Sequence, residues 1–148
     1  MSRGKGVPDS MAKRVGYCLK MAQNSLRTRM EDELRPLGIT APQYAVLTAL
    51  EMAPGLSNAD LARAAFVTAQ TMQGIVTNLE RDGFVKRTPD PQHGRVLKAE
   101  VTEDGLKVLR KAHIAVAKVE TAMLSSFSKS EITSLAEQLT RCAENLAV

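Results

Sequence analysis

Residues 57–101 read SNADLARAAFVTAQTMQGIVTNLERDGFVKRTPDPQHGRVLKAEV, and the spacing of apolar side chains in this stretch decides the fold. Ser57 with Asp60 three residues on has the pattern of a capping box. It opens a short helix through Leu61 and Ala64. A brief break follows at Ala65-Phe66-Val67. Thr68 is placed to cap a second helix, in which Met72, Ile75, Val76 and Leu79 form one apolar stripe at i, i+3, i+4 and i+7. Gly83 is a good left-handed terminator for it. The period then changes to two. Phe84 to Thr88 predicts one strand, and Val96 to Val101 predicts its return, with Leu97, Ala99 and Val101 on one face. Between them Pro89-Asp90-Pro91-Gln92-His93-Gly94 has turn-forming chemistry and makes a hairpin tip.

Both flanks are helical. Leu19, Ala22, Leu26, Met30, Leu34 and Leu37 recur at steps of three and four, which predicts one long helix ended by Pro36 and Gly38. Thr40 can cap the next, with Pro42 in its first turn, where a missing N–H does no harm. That helix turns Tyr44, Leu47 and Leu50 inward and stops at Pro54-Gly55. After the hairpin, Thr102 can cap a long helix with the inward set Leu106, Leu109, His113, Val116, Met123 and Phe127. Ser128 with Glu131 makes a further capping box, opening a last helix lined by Ile132, Leu135, Leu139, Cys142 and Leu146.

A chain of 148 residues fits one domain. We expect a flexible tail over 1–10 and a single domain over 11–148, without internal repeats. Aromatic content is 3% with no Trp, so the core falls to Leu, Val, Ile, Ala and Met, which suits packed helices better than a β-sandwich. No apolar run approaches the roughly 20 residues that span a bilayer, and Met1 to Ser10 lacks the apolar segment of a signal peptide. Two cysteines far apart are not a secreted disulfide framework, so a reducing cytoplasm is the expected location, with no membrane partner. Net charge is +4, with the excess near the N-terminus (Arg3, Lys5, Lys13, Arg14, Lys20, Arg27, Arg29) and a smaller one between Phe84 and Val101. That balance permits nucleic-acid binding.

Two short helices, a tight break and then a hairpin make a winged helix-turn-helix, in a chain that is otherwise mainly α-helical. One helix fits the DNA major groove, and polar side chains on its outer face can reach base edges. The face opposite the apolar stripe holds Gln70, Thr71, Gln73, Gly74, Thr77, Asn78 and Arg81. Gln and Asn pair bidentately with adenine, Thr bonds bases or touches a thymine methyl, and Gly allows close approach. An ordinary solvated helix face is rich in Glu and Lys instead. Helix propensity does not favour Thr, Asn and Gly at these positions, which points to another requirement. On the hairpin, Lys86, Arg87, Arg95 and Lys98 outweigh Asp90 and Glu100. A projecting basic tip suits phosphate or minor-groove contact, and on charge alone a plain solvated hairpin explains it equally well.

The segment Leu37-Gly38-Ile39-Thr40-Ala41-Pro42-Gln43-Tyr44, the stretch Leu79-Glu80-Arg81-Asp82-Gly83-Phe84-Val85, and Asp90-Pro91 through Arg95 to Val101-Thr102-Glu103-Asp104-Gly105 resemble the multiple-antibiotic-resistance regulator (MarR) family in this order. The resemblance covers the chain after its tail. It implies a homodimer made by the helices over about 11–38 and 103–148, with a DNA-binding lobe over about 41–101. The two recognition helices would enter successive major grooves, about 34 Å apart, on a near-palindromic site in double-stranded DNA. By motif position Thr68, Ala69, Gln70, Thr71, Gly74 and Thr77 resemble the base- and phosphate-contacting set. Arg95 resembles the wing arginine that enters the minor groove. Family members usually carry Asp and then a charged residue just before that arginine, where this chain has His93 and Gly94. His93 could instead act as a partial cation towards phosphate.

Many relatives leave DNA when a small aromatic compound binds between the dimer helices and the winged lobe. Tyr17, Met21, Tyr44 and His113 are the candidate wall residues here, although Met and Tyr at helical spacing more often pack a core. Some relatives sense peroxide through a first-helix cysteine. Cys18 lies near that position, and its plainer reading is a small buried thiol. No cofactor is expected. His93 and His113 lie on a hairpin tip and a helix, and the sequence has no metal-ligand spacing, phosphate-cradling glycine loop or nucleophile elbow, so no enzyme is expected either. The alternative is a winged module for protein–protein contact. Acidic or bulky apolar residues on the recognition face would favour it, and Gln70 to Asn78 supply neither outward.

Overall fold

The computed structural model describes residues 6–92, 94 and 97–147. Among the described residues, seven helices and one hairpin follow in the order α1 (Asp9–Ala12), α2 (Val15–Leu34), α3 (Ala41–Met52), α4 (Asn58–Ala65), α5 (Ala69–Arg81), β1 (Val85–Pro89), β2 (Leu97–Val101), α6 (Glu103–Met123) and α7 (Lys129–Leu146). A single 3₁₀ turn at Arg35–Leu37 closes α2. Gly38 after it takes the left-handed conformation, φ 78°. The short α1 overlaps the end of the expected tail.

The caps form where side-chain oxygens were spaced for them. Thr40 with Gln43, Ser57 with Asp60 and Ser128 with Glu131 make reciprocal capping boxes. Hydrogen bonds from Ser57 and from the Ser128 backbone N–H hold the Asp60 and Glu131 carboxyls below their ordinary range, so both caps are complete at neutral pH. Thr68 and Thr102 accept from the N–H groups of Thr71 and Gly105.

One core joins these elements. Leu34, Val46, Leu47, Leu50, Leu61, Met72, Val76, Leu79, Val85, Ala99 and Leu109 are buried together, so α3, α4, α5, the hairpin and the first turns of α6 form one lobe. The strands pair antiparallel with Val85 opposite Val101 and Pro89 opposite Leu97, one residue later than expected at the start of β1. Gly55 donates its N–H to Ala99 O at 3.1 Å, which ties the α3–α4 loop to the wing.

The outer helices differ from expectation. Of the apolar stripe on α2 only Leu34 is buried, and Leu19 and Ala22 are exposed. Met123 and Phe127 are exposed rather than inward, as are Leu139, Cys142 and Leu146 of α7, which buries no residue at all. Cys18 is exposed too, its thiol directed at Ala12 O at 3.3 Å, so it is not a buried thiol of this protomer. The physical reason is shared. Periodicity reports an apolar stripe, not whether the surface that covers it belongs to the same chain, and these helices project beyond the lobe. No helix among the described residues is long and apolar enough to cross a membrane.

Candidate nucleic-acid interface

The α4–α5 pair is braced at its turn. Asn58 at the start of α4 donates its Nδ2 hydrogen to Ala69 O at 3.1 Å, linking the beginnings of the two helices. Thr68 accepts from the Thr71 N–H at 3.1 Å and donates its hydroxyl hydrogen to Thr71 Oγ1 at 3.0 Å. The Thr71 hydroxyl hydrogen therefore stays available outward.

Burial of Met72, Val76 and Leu79 turns the other side of α5 to solvent. Thr68, Ala69, Gln70, Thr71, Gln73, Gly74, Thr77, Asn78 and Arg81 are all exposed, so the structure brings the predicted recognition residues together on one surface. Gly74 is informative. A Cβ added there meets nothing within 4 Å among the described residues, so none of them requires glycine in mid-helix, where it costs about 1 kcal/mol against alanine. Space for something outside the protein is the remaining use.

The wing is coupled to this face through Arg87. Its side chain is 19% exposed, with Nε 3.3 Å from Glu80 Oε2 and Nη2 donating to Thr77 Oγ1 at 3.3 Å. Arg87 thus points back onto α5, whereas Lys86 on the opposite face of β1 is exposed. Glu80 was not singled out in the sequence, although it follows Thr77 by three residues and so shares its helix face. Lys98 Nζ lies 3.7 Å from Asp90 Oδ2 across the hairpin. Gly94 is exposed, and His93 and Arg95 lie outside the described residues.

The four candidate wall residues separate into two groups. Tyr44 Oη is 2.8 Å from His113 Nδ1, with the rings edge-to-face at 5.4 Å. His113 Nε2 is 3.0 Å from Glu51 Oε1. Burial pushes the Tyr44 phenol above its ordinary range, reinforced by the charges of Glu120 and Glu51, so at neutral pH it keeps its proton. A carboxylate only accepts, so Nε2 is the donor to Glu51, and the Tyr44 hydroxyl can then donate to Nδ1. This chain of hydrogen bonds joins α3 of the lobe to α6. Glu51 escaped the sequence reading, although it stands seven residues, two helical turns, after Tyr44. Tyr17 is half-buried and Met21 exposed, both on α2 and outside that hydrogen-bonded chain.

Comparison with known proteins follows the same outline. The sequence profile of the MarR family matches residues 37–96. The HTH-type transcriptional repressor Rv2887 of Mycobacterium tuberculosis is 36% identical over 111 residues, 75% of this chain and 80% of that protein. The transcriptional activatory protein BadR of Rhodopseudomonas palustris is 30% identical over 142 residues, 92% of this chain and 80% of that one. The crystal structure of Rv2887 in complex with salicylic acid aligns with a TM-score of 0.70 at 30% identity, covering 95% of this chain and 99% of that one.

Proposed function

The chain belongs to the MarR family of transcription regulators, and from that we propose that it is a homodimeric repressor that recognises a near-palindromic operator in duplex DNA. The outer face of α5 carries this reading. It combines uncharged hydrogen-bonding side chains, uniformly exposed, with a glycine that the fold itself does not need. Its action is binding rather than catalysis. Repression is favoured over activation because the 36% relative is a repressor, whereas the activator is 30% identical.

In this reading Thr71, Gln73 and Thr77 read bases, with Ala69, Gln70, Gly74, Asn78 and Arg81 completing the contact face. Lys86 and Arg95 hold the backbone, with His93 and Gly94 at the wing tip. Arg87 positions Thr77 and Glu80. The exposed apolar stripes of α2, α6 and α7 meet those of a second copy. The effector class is a small aromatic acid or phenol, by analogy with the relative crystallised with salicylic acid. Tyr17, Met21, Tyr44 and His113 are its proposed contacts, and the Tyr44–His113 pair is suited to carry a change at α6 into the lobe.

Selection of bound sequences from a random duplex pool tests the reading. The parent should enrich a near-palindrome. Gln73→Ala should lose preference at one position in each half-site, about 1–3 kcal/mol per lost base contact. An identical selected sequence from Gln73→Ala would remove Gln73 from base reading. Arg95→Ala should weaken all duplexes alike and flatten the salt dependence by about one phosphate contact per protomer. A sequence-selective loss would show that Arg95 reads bases rather than anchoring the backbone.

A further inference from the structure

Phe66 ends α4 in the left-handed conformation, φ 56° and ψ 40°. Its N–H reaches the carbonyls of Ala62 and Arg63, and the Val67 N–H bonds Ala62 O at 3.1 Å. This is a Schellman-type helix end, where glycine is the usual residue because a Cβ is strained there. Phe66 is the one non-glycine with positive φ among the described residues.

Phe66 is 95% exposed, more than any other large apolar residue described. Burial inside the protomer therefore does not repay the strain. Two unfavourable features meet at one residue, and glycine would remove both. Retained strain of this kind is characteristic of functional positions.

The position says what the ring is for. Phe66 lies two residues before Thr68, the cap of the recognition helix, and is not part of the α2, α6 or α7 stripes. A docked recognition helix sends its N-terminal residues to base edges, so the turn before it lies along the rim of the major groove. An aromatic ring there meets deoxyribose and the thymine C5-methyl, both apolar. Arg63, exposed one turn earlier, is paired with Asp60 of the same helix.

We infer that Phe66 is a DNA-contacting residue, its strained turn holding the ring against sugar and thymine methyl at the groove edge. The inference rests on the DNA-binding reading. The test uses the duplex selected by the parent protein, with anisotropy titrations over a range of salt and thermal unfolding without DNA.

Phe66→Gly should melt about 2–5 °C higher than the parent, because the turn is relieved. It should bind the duplex roughly tenfold more weakly, with the salt slope unchanged because no ionic contact is lost. Phe66→Leu should keep most of the affinity. Phe66→Gly binding within about twofold of the parent would overturn the inference. So would a lower melting point, which would show the ring packing within the protein. A parent that selects no duplex would defeat the DNA-binding reading and the inference with it, whereas failure confined to Phe66 leaves the parent binding.

Discussion

Gly105→Ala should lower the unfolding midpoint by roughly 10 °C, a loss of about 3 kcal/mol for a chain of this length. Gly105 lies in the first turn of α6, against the start of the hairpin. A Cβ there would lie 2.2 Å from Phe84 O and 2.7 Å from Val101 Cγ1. The first is a backbone atom and cannot swing aside, so α6 must move off the hairpin. Movement breaks the Thr102 N–H bond to Phe84 O and the Thr102 bond to Gly83 O, and disturbs the Thr102 cap. The helix-propensity gain of alanine, about 1 kcal/mol, opposes only part of this. Gly16→Ala and Gly74→Ala are controls, since their Cβ atoms meet nothing within 4 Å and should leave the midpoint unchanged or raised. Thermal circular dichroism decides the matter. Coincident melts for Gly105→Ala and the parent would mean that the close approach of α6 to Phe84 is absent.

Leu139→Asp should convert a dimer to a monomer and weaken operator binding by roughly a hundredfold or more. Apolar side chains on the outer helices are left uncovered in the protomer. Val15 is 75% exposed, Leu146 81%, and Leu139, Ile114 and Met123 are also open. Apolar surface left open on these helices supports the proposed dimer face. A carboxylate at Leu139 would be buried without a partner in the dimer, which is strongly unfavourable, and costs nothing in a monomer. Each protomer would then meet its half-site alone, without the high effective concentration its partner supplies. Sedimentation and titration of one sample separate the two effects. A Leu139→Asp protein that stays dimeric would place the interface elsewhere.

What sequence reading could and could not reach follows from the physics of each element. The caps at Thr40, Ser57, Thr68, Thr102 and Ser128 are local, decided within four residues, and each stands where its spacing put it. The α5 stripe was legible because Met72, Val76 and Leu79 are covered by their own chain. The stripes of α2 and α7 have the same periodicity, yet this protomer leaves most of them exposed, and nothing in Leu139 or Leu146 marks that difference. Long-range polar contacts were illegible for a similar reason. Arg87 and Glu80, or His113 and Glu51, are paired by the fold rather than by sequence spacing. Arg87 read as a wing cation for the DNA backbone, and the fold also pairs it with Glu80 and Thr77. The break before α5 was legible, but its strain at Phe66 was not, since glycine is the residue expected there.

The most direct measurement is a fluorescence-anisotropy titration of the purified protein into duplex from upstream of its own gene and into a shuffled control, at several salt concentrations. A sequence-specific dimer should prefer the upstream duplex, with affinity falling steeply as salt rises. A folded dimer that binds neither duplex at low salt would contradict DNA recognition by α5 and the wing, and would turn the exposed face of α5 over to a protein partner.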